Sequence, residues 1–151
     1  MPPNVAIEIP PPLTSVVNYW LTGPTFSDES PSESQRTFAT KPMYKLEVVK
    51  ALARPGQIYL PNSKKLQKDL ENLEWGQEDV ARAIQCLTTA TYRKSLWCRV
   101  GKLWVPCDDY VMKDFSEPEL DPPRPFALYL KMAVSPVSGS TIIVVSCHPS
   151  S

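Results

Sequence analysis

Phe126-Ala-Leu-Tyr-Leu-Lys-Met-Ala-Val134 alternates without a break: Phe126, Leu128, Leu130, Met132 and Val134 fall on one side, and Tyr129 and Lys131 stand on the other. A period of two with one apolar side is the pattern of a half-buried β-strand. A phenol and an ammonium two residues apart therefore leave the core together. That pairing suits a surface that grips phosphates and handles a proton.

Working outward, the same period predicts strands over 91–99, 103–112 and 140–147, with turns at Val100-Gly101-Lys102 and Pro136-Val-Ser-Gly139. Pro106 cannot donate to a ladder, so the second strand is expected at an edge or to carry a bulge there. Upstream the spacing lengthens to that of helices. Tyr44, Val48, Val49 and Leu52 recur at three- and four-residue intervals, and Pro55-Gly56 ends the segment. Gln57-Ile-Tyr-Leu60 reads as a short extended link. Asn62 or Ser63 then caps a second helix carrying Leu66, Leu70 and Leu73, stopped near Gly76. A third begins at Gln77-Glu78-Asp79, whose carboxylates suit the positive end of the helix dipole, and buries Val80, Ala83, Ile84 and Leu87. The expected fold class is α+β, with three helices packed on one face of a mostly antiparallel four-stranded sheet.

At 151 residues the chain holds one domain of ordinary size, placed at 43–151. Residues 1–42 are Pro- and Ser-rich and bury too little apolar surface to offset ordering, so this arm is expected to be largely disordered. Within it, Leu13–Leu21 is apolar enough to dock on a partner. Sixteen basic residues balance sixteen acidic ones, and no global field recruits nucleic acid. Residues 1–40 nevertheless hold four carboxylates against Arg36 alone, so the rest of the chain is mildly basic. No apolar run reaches the roughly 18–20 residues of a membrane span. The amino terminus lacks a signal peptide's layout, and a cytoplasmic protein with no membrane partner is the expectation. Cys86, Cys98, Cys107 and Cys147 show no CxxC spacing, so they read as reduced thiols, and no metal or cofactor is expected. No Gly-rich phosphate loop, HExxH or GxSxG occurs.

Thr91-Tyr-Arg-Lys-Ser-Leu-Trp-Cys-Arg-Val-Gly-Lys102 carries four cations, no acid, and two aromatics. Cations that track a backbone and rings that stack on unpaired bases are how single-stranded RNA is held. Arg93, Trp97, Arg99, Lys102 and Lys131 are the candidate RNA-binding residues. The alternative is that the cations form a solvated face and Trp97 belongs to the core. Metal-free RNA cleavage needs a group to draw the 2′-hydroxyl proton, charge stabilisation at the phosphorane, and a donor for the departing oxygen. Lys94, Tyr129 and the sole histidine, His148, are the catalytic candidates. Asp108-Asp109 could act as base or hydrogen-bond anchor, but adjacent carboxylates near a turn are more often solvated or paired with a neighbour such as Lys113. That is the expectation for Asp109.

Tyr44-Lys-Leu-Glu-Val-Val-Lys50, Gly56-Gln-Ile-Tyr59, Tyr92-Arg-Lys-Ser-Leu96, Trp104 with Asp108-Asp-Tyr110, Tyr129-Leu-Lys131 and Val144-Val-Ser146 follow one another in an order and spacing that resembles the motility quorum-sensing regulator (MqsR) toxins. The resemblance runs from about Tyr44 to His148 and implies a RelE-like fold. It implies a type II toxin that cuts messenger RNA without metal and is neutralised by a cognate antitoxin. It also places Lys94 and Tyr129 at that family's active-site positions. Two departures stand out: the family's glutamine after the strand tryptophan is displaced by Val105-Pro106-Cys107, and the lysine closing its last strand is matched by His148. Two other readings fit the same residues. One is an RNA-binding module of the same fold without turnover. The other is a protein-interaction module acting through the Pro-rich arm.

Overall fold

The computed structural model of the chain describes residues 30, 32, 36–39, 41–101, 103–117, 122, 124–135 and 141–149. In chain order these form β1 (Thr37–Ala39), α1 (Leu46–Ala53), β2 (Ile58–Tyr59), α2 (Lys64–Leu73), α3 (Gln77–Gln85), a 3-10 turn (Thr89–Thr91), β3 (Tyr92–Val100), β4 (Leu103–Phe115), β5 (Phe126–Val134) and β6 (Ile142–Pro149).

Each helix forms where an apolar stripe meets a local start and stop. Ser63 caps α2, its Oγ accepting the Leu66 N–H at 3.3 Å, and Leu66 and Leu70 are its buried stripe. The helix stops earlier than Gly76 because Glu74 takes the left-handed conformation (φ 60°), letting the Trp75 N–H reach the Leu70 carbonyl at 2.9 Å. Gly76 instead opens α3, donating its N–H to Asp79 Oδ2 at 2.9 Å. At the end of α1, Gly56 (φ 83°) supplies the positive φ that the turn into β2 demands. The stripes of all three helices feed one core with Tyr110, Met112, Leu128, Leu130, Met132, Ile142 and Val144 of the sheet. Within that layer α2 packs on β6, and α1 packs on α3.

The sheet departs from expectation. It is six-stranded, in the order β1-β3-β4-β5-β6-β2, and mixed, because β2 runs parallel to β6 through Ile58↔Ile142 and Tyr59↔Ile143. The four-stranded sheet of a RelE-like fold is therefore incorrect for this chain, although every neighbouring pair except β2 and β6 is antiparallel. Both extra strands are short edge elements. A two-residue strand has no period, so β2 reads as a link in the sequence. β1 arises inside the Pro-rich arm, at Thr37↔Leu96 and Ala39↔Ser95, with the Trp97 N–H on the Arg36 carbonyl at 2.8 Å. The earlier part of the arm, including Leu13–Leu21, lies outside the described residues. Nor is β4 an edge strand. It lies between β3 and β5, and Pro106 is accommodated by register. Its partner Trp97 turns its N–H toward β1, so Pro106 owes β3 no donor. Toward β5 the ladder begins only at Asp108↔Met132. There the Pro106 carbonyl accepts the Tyr44 hydroxyl at 2.8 Å instead.

Asp108 joins the two layers. Its carboxylate, 1% exposed, accepts the Met43 N–H at 2.9 Å, the Tyr44 N–H at 3.0 Å and the Ser95 hydroxyl at 2.6 Å. Desolvation pushes its pKa up to about 6 although the three donors pull it down. The folded protein thus holds this proton more tightly than the unfolded chain, in which an Asp titrates near 3.9. The contribution of this proton to stability is complete below about pH 4 and is lost as pH rises through about 6. Replacing Asp108 by Ala strands three buried donors and is expected to cost about 3 kcal/mol or more in urea unfolding. In Asp108→Asn the fall in unfolding free energy between pH 4.5 and 7.5 should flatten by about 2 kcal/mol relative to wild type. An unchanged slope would show that this carboxyl does not carry the linkage.

The thiols divide by burial. Cys86 is exposed, whereas Cys98, Cys107 and Cys147 are buried, and burial lifts Cys147 to about 12 and Cys107 well above its usual range. A water-soluble thiol reagent should label one cysteine in the native protein and all four after denaturation.

Candidate functional site

Strand register decides which side chains meet. Tyr92 sits edge-on to Tyr110 (5.6 Å, 71°), and Ser95 bonds Asp108, so both point to the helix side of the sheet. In an unbroken strand, residues three apart point to opposite sides. A β-bulge absorbs the difference: β3 slips one residue against β4 between Tyr92↔Tyr110 and Lys94↔Asp109. Two consecutive cations, Arg93 and Lys94, consequently face Asp109 on the side away from the helices.

From Asp109 the register continues across that side to Lys131, thence to Ser146, with Val111↔Tyr129↔His148 in the neighbouring row. Arg93, Lys94, Tyr129, Lys131 and His148 are thus gathered on one face; the alternation in β5 predicts this for Tyr129 and Lys131, and the cross-strand register adds the other three. The Tyr129 and His148 rings stack, with centroids 5.3 Å apart and planes at 10°, and the Arg93 guanidinium lies 5.9 Å from the Tyr129 ring centre. His148 belongs to β6 rather than to a loose tail. Its Nδ1 is 3.0 Å from the Pro149 carbonyl, which can only accept, so Nδ1 carries the hydrogen and Nε2 is the atom left to exchange a proton.

Asp109 is the residue that sequence reasoning set aside. It is 2% exposed, neither solvated nor bonded to Lys113. Its Oδ2 lies 3.7 Å from Arg93 Nη1, an ion pair too long for a hydrogen bond, and its Oδ1 has no partner. Burial raises its pKa, and Lys131, Arg93, Lys94 and His148 oppose that rise without cancelling it. Arg93, Lys94 and Lys131 against this one carboxylate leave the site with a surplus of positive charge. The signal available in the sequence was parity: once Asp108 faces the helices, its neighbour must face the other way.

Three expected contacts fall elsewhere. Trp97 pairs with Pro106 and Arg99 with Trp104, which puts both on the helix side of β3, away from Lys94. Arg99 and Arg36 instead flank the Trp104 ring, at 5.9 and 4.9 Å from its centre. The stripe of cations read along Thr91–Lys102 is therefore divided between two faces. Lys102 lies outside the described residues. Nor is the whole far side of the sheet open. β3 and β6 approach each other across it, with Tyr59, Val100 and Val145 lining a common cleft. Leu96, Cys98, Val105, Cys107 and Ala133 are buried on that side. Val105 and Cys107, which flank Pro106, leave no polar side chain on that side of β4 there. The polar part is confined to the end marked by Arg93, Asp109 and His148. A cleft of about 770 Å³ adjoins it, lined by Tyr92, Arg93, Lys113, Asp114 and Phe115, so Arg93 borders both.

No protein-family model matches the chain, and no curated protein is significantly similar to it. Among the described residues, no helix is long and apolar enough to cross a membrane, and no three His, Cys, Asp or Glu side chains cluster as a metal site would require.

Proposed function

We propose that this chain is an endoribonuclease that cuts single-stranded messenger RNA in the cytoplasm. In this reading it is the toxin of a type II toxin–antitoxin pair related to the MqsR toxins and held in check by a cognate protein. One observation carries the proposal: Arg93, Lys94, Tyr129, Lys131 and His148, drawn from three strands, share one end of one face. Phosphodiester cleavage by an adjacent 2′-hydroxyl needs little beyond positioning, charge stabilisation and two proton transfers. Lys94 and Lys131 would neutralise the phosphorane, and Arg93 would hold the next phosphate along the adjoining cleft. Tyr129 would orient the scissile group, and Nε2 of His148 would exchange the proton. The products would be a 2′,3′-cyclic phosphate and a 5′-hydroxyl.

The buried Val105 and Cys107 favour a second reading, an RNA-binding module without turnover. An unstructured RNA incubated with the protein in EDTA separates the two. Cleavage is expected from wild type, slower by about 10²–10³ in Lys94→Ala and by about 10²–10⁴ in His148→Ala. Salt-sensitive binding with intact RNA would establish the binding module instead. Neither binding nor cleavage would remove nucleic acid from the account altogether.

A further inference from the structure

We infer that Asp109 is the group by which the site recognises a ribose 2′-hydroxyl, and so selects RNA over DNA. The inference rests on the ribonuclease reading and adds to it a residue that the resemblance does not supply. A carboxylate oxygen buried without a partner is expensive, and proteins keep one where something else completes it. Here the oxygen is Asp109 Oδ1, in register between Lys94 and Lys131 and beside the Tyr129–His148 row. A ligand that satisfies this place must bring an anion for the surrounding cations and, next to it, a hydrogen-bond donor for the carboxylate. A ribonucleotide chain has that pair of groups at every 3′-phosphate. DNA has the phosphate and lacks the hydroxyl.

Access follows from the same charges. Arg93 is held to Asp109 only by the long 3.7 Å ion pair, and its side chain is 43% exposed. An arriving phosphate competes for that guanidinium and draws it off the carboxylate. Three cations against one carboxylate leave the site attractive to the phosphate throughout. With the 2′-hydroxyl bonded to Oδ1, its proton passes to Asp109 as the 2′-oxygen forms its bond to phosphorus. The bond from phosphorus to the 5′-oxygen breaks, and that oxygen takes a proton from Nε2 of His148. Asp109 then acts as base and His148 as acid.

The test compares affinities of the full chain for one short unstructured sequence made as RNA, as DNA and as 2′-O-methyl RNA. Binding is read by fluorescence anisotropy in a His148→Ala background, in which the RNA outlasts the measurement. RNA is expected to bind roughly ten- to a hundredfold tighter than the other two, as one charge-assisted hydrogen bond would give. Asp109→Ala should abolish that preference, whereas Lys94→Ala should weaken all three alike. Asp109→Asn, nearly isosteric, keeps an acceptor and cannot take a proton. With His148 intact it should retain much of the preference while cleaving at least about a hundredfold more slowly. Thermal unfolding of each variant checks that it folds. Equal binding of the three oligonucleotides, or a preference that survives Asp109→Ala, would overturn the role of Asp109 while leaving cleavage by the other residues standing. Failure to bind any of them would overturn the ribonuclease reading and this inference together.

Discussion

The Asp108 carboxylate sets the geometry of everything else. It is almost fully buried and takes the backbone of Met43 and Tyr44 on one side and the Ser95 hydroxyl on the other, so it fixes the segment entering α1 against β3 and β4. Because side chains alternate along a strand, committing Asp108 to the helix side commits Asp109 to the opposite side. A structural anchor and a site residue are thus neighbours in sequence, and the position of the second follows from the bonding of the first.

Two slips in register do the remaining positioning. The bulge at Tyr92/Lys94 turns Arg93 and Lys94 to the same side, and the slip at Lys131/Met132 keeps Val144 and Ile142 in the core while Ser146 and His148 stay with Lys131 and Tyr129. Without the first, Arg93 and Lys94 would straddle the sheet. Bulges also increase strand twist. Twist fits the observed curl, which brings β3 toward β6 and leaves only one end of the concave side polar. The site is small because the sheet closes over the rest.

Much of this was legible in the sequence. The alternation over 126–134 gave both the inward Leu128, Leu130, Met132 and Val134 and the outward Tyr129 and Lys131. Helix spacing located α1, α2 and α3, and Ser63 was among the expected caps. What escaped has a common physical cause: register is a property of two strands. Period counting along β3 puts Arg93 with Trp97 and Arg99, opposite Lys94; the bulge at Tyr92/Lys94 that moves Arg93 to the side of Lys94 depends on the pairing with β4. The parallel partner β2 is too short to show a period, and β1 lies in a stretch whose composition argues against order. Asp109 escaped because burial of a carboxylate is improbable from residue type alone.

That improbability is itself informative. Burying a carboxylate beside cations stabilises a fold only if its remaining lone pairs are satisfied, and at Asp109 they are not. Asp108, one residue away, shows what satisfaction looks like at nearly the same burial: three donors within 3.0 Å. The two carboxylates share a strand and differ in the company on their own side of it. Asp108 faces backbone N–H groups that exist to be bonded. Asp109 faces long cationic side chains that surround it without closing on it, in a chain whose overall charge is zero. An uneven distribution of this kind adds nothing evident to stability. It concentrates a positive surplus, one acceptor and one exchangeable proton within a single cross-strand neighbourhood, which is the minimum that phosphodiester chemistry at an adjacent hydroxyl requires.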